Sequence, residues 1–248
     1  MLRGIYNAAS GLNQQQKEIE VAGHNIANVS TTGFKPSRIN SGSFPVVLLT
    51  RMQTGKEPAG IGQTSYGTQM VVQVTRFDQG PLESTGSPMD VALMGDGFLV
   101  ADTADGERYF RGGTLCIDSE GYLATVSGDK ILGENGPIEI TNGKPEISPD
   151  GGVTVDRQTV GKLRVVEFAD RDQLVNEGHG YFSADGTVPD DSAATVVQQG
   201  YLEASGVNVA DELTRLIEGL RAYQLSQRAL RTQDETLSRA INEVGKVR

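Results

Sequence analysis

The side chains that most often carry nucleophilic or metal chemistry are scarce in this chain, which has two histidines, His24 and His179, and one cysteine, Cys116. His24 sits beside a row of apolar residues near the N-terminus, whereas His179 sits in a glycine-flanked loop. Neither has the Cys, His or carboxylate spacing that holds zinc. Cys116 alternates with Leu115 and Ile117, which reads as a small packed thiol in a strand rather than a nucleophile. Asp102-Thr103-Ala104-Asp105-Gly106-Glu107 has the carboxylate density of a calcium loop but lacks the later bidentate glutamate, so hairpin-turn chemistry accounts for it better. Gly95-Asp96-Gly97 has no helix after it to make a phosphate cradle. A secreted hydrolase would need a cleft with paired carboxylates of shifted pKa, and no such constellation can be read here. The expectation is a non-enzymatic chain with no catalytic residue, metal or cofactor.

What the residue spacing does specify is a pair of long helices at the two ends. Every seventh position from Val209 gives Leu216, Tyr223, Leu230, Leu237 and Val244, a row without a polar residue. Its companion row is Leu213, Leu220, Gln227, Asp234 and Ile241, apolar at both ends only. Asn208 is placed to cap this helix, and Asp211 and Glu212 put negative charge in its first turn, as the helix dipole favours. At 1.5 Å per residue the helix would be roughly 50 Å long, which calls for a partner. Ile5, Leu12, Ile19 and Ile26 are also spaced by sevens, interrupted by Gly4, Gly11 and Gly23. Each internal glycine costs about 1 kcal/mol, so this helix needs packing to hold it. Gly4, Ala8, Gly11 and Ala22 form a small-residue flank that a second backbone could approach closely. All these apolar positions are predicted to line an assembly interface.

Composition narrows the partners. A net charge of −10, a pI near 4.7 and the lack of any basic run argue against nucleic acid or an anionic membrane surface. Nothing approaches the length of a membrane-spanning helix, and the polar N-terminus lacks the apolar core of a cleavable secretory signal. By composition alone the chain is cytoplasmic, or exported by a route that reads no classical signal. One cysteine rules out an internal disulfide framework.

Between the ends, short β-rich runs alternate with glycine turns. Strands are expected at 70–77, 90–94, 97–101, 108–111, 114–117, 122–125, 138–140, 152–155 and 160–168, with a short one near Tyr181, and 196–202 returns the chain toward the C-terminal helix. Residues 51–67 read as an exposed, mobile loop. The predicted fold class is α+β, a discontinuous helical coiled-coil region from both termini enclosing a β-rich middle of hairpins. The predicted division is 1–35 helix and turn, 36–89 connecting region, 90–199 outer β domain and 200–248 C-terminal helix. The middle, about residues 37–199, is expected to fold by itself.

Three ordered motifs run nearly end to end. Ala27-Asn28-Val29-Ser30-Thr31-Thr32-Gly33-Phe34-Lys35 resembles the A-N-x-x-T-x-G-F-K motif of bacterial flagellar rod and hook axial proteins. Gly95-Asp96-Gly97-Phe98, Tyr109-Phe110-Arg111-Gly112-Gly113 and Gly121-Tyr122-Leu123 are similar to the central signature of that family. Gln199-Gly200-Tyr201-Leu202-Glu203 and Val207-Asn208-Val209 resemble its C-terminal one. The sequence departs from the usual pattern at Phe110, Leu115 and Gly206. The resemblance, closest to the distal-rod type with the proximal-rod type second, implies a structural subunit of the basal-body rod. Its terminal helices would polymerise into a tubular axial structure that passes torque from motor to hook. It further implies self-association, contact with other rod and hook proteins, and export through the flagellar type III apparatus. The alternatives are a hook-type subunit of the same family and a non-flagellar secreted β-rich binding protein.

Overall fold

A computed structural model describes residues 2–43, 47–53, 56–64, 67–140, 143–184, 186–191 and 194–244. The chain divides into two units. One comprises Met1–Ala27, Ser37–Val74 and Asn208–Arg248; the other comprises Asn28–Pro36 and Thr75–Val207.

The first unit is built on α1 (Leu2–Ala27) and α2 (Val209–Arg239), with a π-helical turn at Ala240–Val244. The Asn208 side chain accepts from Ala210 N at 3.1 Å, the cap expected of it. The helices pack against each other and run antiparallel. A methyl group added at Gly219 would lie 3.0 Å from Ile19 Cγ1, and one added at Gly4 would lie 2.6 Å from the Gln233 side chain. Glu212, Leu216, Gly219, Tyr223, Ser226, Leu230, Gln233, Leu237 and Ala240 are buried or half-buried, alternately four and three residues apart. The row Leu216, Tyr223, Leu230 and Leu237 is thus on the covered side, as is the α1 row Ile5, Leu12, Ile19 and Ile26. The companion row differs from expectation: Leu213, Leu220 and Ile241 remain exposed within the subunit, as does Val209 at the head of the first row. The reason is the close approach at Gly219, which turns α2 so that its small and polar residues, not the second leucine row, flank the seam. Among the α1 glycines the tight contact is at Gly4, whereas Gly11 and Gly23 have open space where a Cβ would sit. The side chain of Val244 lies outside the described residues.

Two ribbons complete this unit. Ser37–Ser43 pairs with Thr68–Thr75, and Val47–Gln53 pairs antiparallel with Lys56–Thr64. The second ribbon replaces the loop expected over 51–67. Two register shifts along it, the first opposite Gly60 and Gly62, let a glycine-rich strand stay paired.

The β unit follows the hairpin meander read from the turns. Its main sheet runs Leu174–Gly178, Tyr181–Ala184, Gly106–Phe110, Phe98–Thr103, Lys130–Gly133, Leu123–Thr125, Gly112–Ile117, Asp90–Met94 and Val196–Gln199. Every recorded pairing is antiparallel. Alternation along Phe98–Thr103 sends Leu99 and Ala101 into one core and Phe98 and Val100 into another. The first core is aliphatic, around Val91, Leu93, Leu123, Ile131 and Val153, and it also takes Phe110 and Leu115. The second is aromatic: Phe77, Phe98, Phe168 and Phe182 meet edge to face with centroids 5.1–6.0 Å apart. Off this path Val165–Glu167 pairs with Phe98–Thr103 and Asp190–Asp191, and Gly136–Pro137 pairs with Lys130–Gly133; a three-stranded sheet, Pro145–Ile147, Gly152–Val155 and Gln158–Lys162, and the pair Leu82–Ser84 with Tyr201–Glu203 belong to the same unit. The expected strand at 138–140 is instead a bridged segment, with Ile140 N donating to Gly121 O.

Candidate functional site

The motif residues, far apart in sequence, converge on one buried cluster in the β unit. Lys35, Arg111 and Glu203 are each no more than 2% exposed. Lys35 reaches this position because Gly33 takes φ +68°, turning the chain after Thr31, whose hydroxyl donates to Asn28 Oδ1. Gly33 N then donates to Glu203 O at 2.7 Å, and Gly206 N donates to Phe34 O at 3.0 Å. The N-terminal motif is therefore held as a strap beside the C-terminal one.

The charges meet at Glu203. Lys35 Nζ donates to Glu203 Oε1 at 2.7 Å and to Asp78 O at 2.8 Å, and Gly80 N donates to the same Oε1 at 2.6 Å. Arg111 donates through Nη1 to Gly97 O (2.7 Å) and through Nη2 to Gly95 O (2.6 Å). Its guanidinium lies 5.3 Å from the Phe98 ring centroid, and its Nε stands 3.9 Å from Glu203 Oε2. That separation permits ion pairing but not a hydrogen bond, and both atoms are otherwise unpaired. Two buried cations thus share one carboxylate. Burial pushes the Lys35 ammonium below its ordinary range; Glu203 opposes this and Arg111 reinforces it. Burial likewise lowers Arg111.

The glycines of the motifs are steric requirements of this cluster. A Cβ on Gly97 would sit 2.7 Å from both Thr195 Oγ1 and Val165 Cγ1, and one on Gly95 would sit 2.9 Å from Thr195 Oγ1. Gly113, at φ +148°, needs glycine for its backbone alone. Gln199 sits farther along the same unit, donating to Pro88 O and Pro145 O at 2.7 Å each and accepting from Ile147 N. Gly200, at φ +80°, accepts from Thr85 N and Gly86 N.

A second polar cluster lies in the helical unit, and the motif residues chosen from sequence did not include it. Asn25, 1% exposed, donates to Ser37 O at 2.9 Å and accepts from Ser37 N at 3.1 Å, pairing like a backbone amide. It also donates to Glu212 Oε2 at 3.3 Å, and Arg38 Nη2 lies 3.6 Å from Glu212 Oε1. The available signal was a glutamate, Glu212, four residues before Leu216 and so on the same helical face as the heptad row.

The residues weighed for chemistry do not gather. His24 and His179 are exposed and belong to different units. Cys116 is half-buried rather than buried, its thiol 3.2 Å from Thr125 O. Asp102–Glu107 spans a hairpin turn in which Thr103 Oγ1 donates to Gly106 O. Lys35, Arg111, Glu203, Asn25 and Glu212 instead tie together chain segments up to 187 residues apart. A discontinuous helical pair and a strapped β unit, each closed by buried charge, define a structural protein whose polar core joins chain segments.

Residues 5–35 match the family described as flagella basal body rod protein, and residues 198–243 match the flagellar basal body rod FlgEFG protein C-terminal family. The flagellar hook-basal body complex protein FlhO of Bacillus subtilis (strain 168) is 32% identical over the whole of both chains. The flagellar basal-body rod protein FlgG of the same organism is 32% identical over 98% of this chain and 99% of its own. The flagellar basal-body rod protein FlgF of Caulobacter vibrioides is 31% identical over 96% and 97%. The chain belongs to the flagellar basal-body rod protein family.

Proposed function

We propose that this protein is a non-enzymatic structural subunit of the flagellar basal-body rod that polymerises through its terminal helices. The observation that carries this reading is that both ends of the chain make one antiparallel helical pair, and those ends coincide with the two family matches. A coiled-coil-like layer of such pairs resists twist because close-packed side chains cannot slide without losing contacts. Torque would then pass from subunit to subunit along the helices. Neighbouring rod and hook proteins are its partners on this reading. The flagellar export apparatus is its route to the basal body, and the distal rod is the first position to test.

Electron microscopy of the purified protein, concentrated alone or nucleated on isolated basal bodies, tests the reading. Tubes or added rod density are expected. A protein that stays monomeric at every concentration and adds nothing to basal bodies refutes it.

A further inference from the structure

The β unit takes its segments from the chain in an order that leaves its charge balance to the end. Lys35 comes first, in the strap 28–36, and Arg111 follows in the middle. Glu203, the carboxylate that pairs with both, stands 168 residues after Lys35, in the last segment of the unit. The same segment holds the strap by its backbone, since Glu203 O accepts from Gly33 N and Gly206 N donates to Phe34 O. It also holds residues 80–84. Gly80 N donates to Glu203 Oε1, Ala204 N donates to Pro81 O, and Tyr201–Glu203 pairs with Leu82–Ser84. A Cβ on Gly80 would run into Ala204 O, so this approach is close.

We infer that this cluster is a latch that closes the β unit last: the strap 28–36 and the strands from 75 to 199 settle only when 200–207 brings Glu203 to Lys35 and Arg111. The two cations are the reason. Apolar side chains in their places would let the strap collapse onto the strands at once, because burying apolar surface needs no partner of opposite charge. A buried cation is costly until its counter-charge arrives. Asp78, Asp96 and Glu167 act on these cations more weakly than Glu203 does. The latch also sits at the ends of the helices along the chain: α1 ends at Ala27, one residue before the strap, and α2 begins at Val209, just after 207. In a chain delivered N-terminus first, the β unit therefore stays open until all but the C-terminal helix has emerged. That consequence rests on the export route proposed above; the latch itself does not.

The test pulls single full-length molecules by their two ends in optical tweezers, wild type beside Glu203→Gln and Lys35→Met. Once the helices have parted, the chain from 28 to 207 is expected to lengthen in one step of roughly 600 Å, and to refold in one step on relaxation. Glu203→Gln is expected to lower the force of that step or to leave the β unit unfolded. Lys35→Met removes one cation and keeps Glu203 beside Arg111, so it should keep the single step at a lower force. A first step of about 190 Å followed by a second, with the strap and 200–207 leaving intact strands behind, overturns the latch. So does refolding that recovers the strands of 75–199 ahead of the rest, or a wild-type pattern in both variants. Because the molecules are held singly, the result is independent of assembly: failure to form tubes sinks the rod reading and leaves the latch standing.

Discussion

Replacing Glu203 by glutamine tests whether the motif cluster holds the β unit together. Its Oε1 receives Lys35 Nζ at 2.7 Å and Gly80 N at 2.6 Å, and its Oε2 faces Arg111 Nε at 3.9 Å. The amide keeps the shape but removes the carboxylate charge that pairs with both buried cations. It also aims a donor at a donor on one side. Breaking a buried ion pair from one partner costs about 3–5 kcal/mol, because the remaining charge is left uncompensated. Against a domain stability of about 5–15 kcal/mol, that leaves the unit near the edge of folding. Lys35→Met is expected to cost less, about 1–3 kcal/mol, since Glu203 then faces one cation and retains Gly80 N. The double variant should cost less than the sum of the singles. Urea unfolding followed by near-ultraviolet circular dichroism of the Phe77, Phe98, Phe168 and Phe182 cluster reads the unit directly. A loss below about 1 kcal/mol for Glu203→Gln, or strict additivity in the cycle, refutes the argument that this carboxylate neutralises both cations.

Gly97→Ala should destabilise the same unit by about 1–3 kcal/mol, because its methyl would enter space held by Thr195 and Val165; an unchanged urea midpoint would contradict that. In the helical unit, Asn25→Ala should cost about 1–3 kcal/mol in the helical melt by leaving both backbone groups of Ser37 unpaired. Tyr181 should titrate at about 12, raised mainly by burial and then by the Asp129 carboxylate that accepts its hydroxyl proton. Its folded pKa lies above the ordinary value near 10, so its contribution is fully present below pH ~10 and lost as pH rises toward about 12. Tyr181→Phe should flatten stability across that window, which pH-dependent unfolding midpoints will show.

Much of the secondary structure was legible because it depends on neighbours in sequence. The heptad row predicted α2 and Asn208 its cap, and glycine turns separated strands close to those observed. The pairing of Val47–Gln53 with Lys56–Thr64 was missed because Gly60 and Gly62 signal a loop locally, whereas pairing with register shifts accommodates them. The unit boundaries were less legible. Residues 28–36 and 200–207 group with the β unit, so the fragment expected over 37–199 lacks both Lys35 and Glu203. The motif positions themselves were readable as a family pattern, but their physical role was not. Lys35, Arg111 and Glu203 look like ordinary surface charges until folding brings positions 168 residues apart into one desolvated cluster. The same holds for the second leucine row. Periodicity determines that Leu213 and Leu220 share a helix face, but the close approach at Gly219 decides that this face is left uncovered within the chain, because burial is set by where the partner backbone lies and not by spacing along the helix.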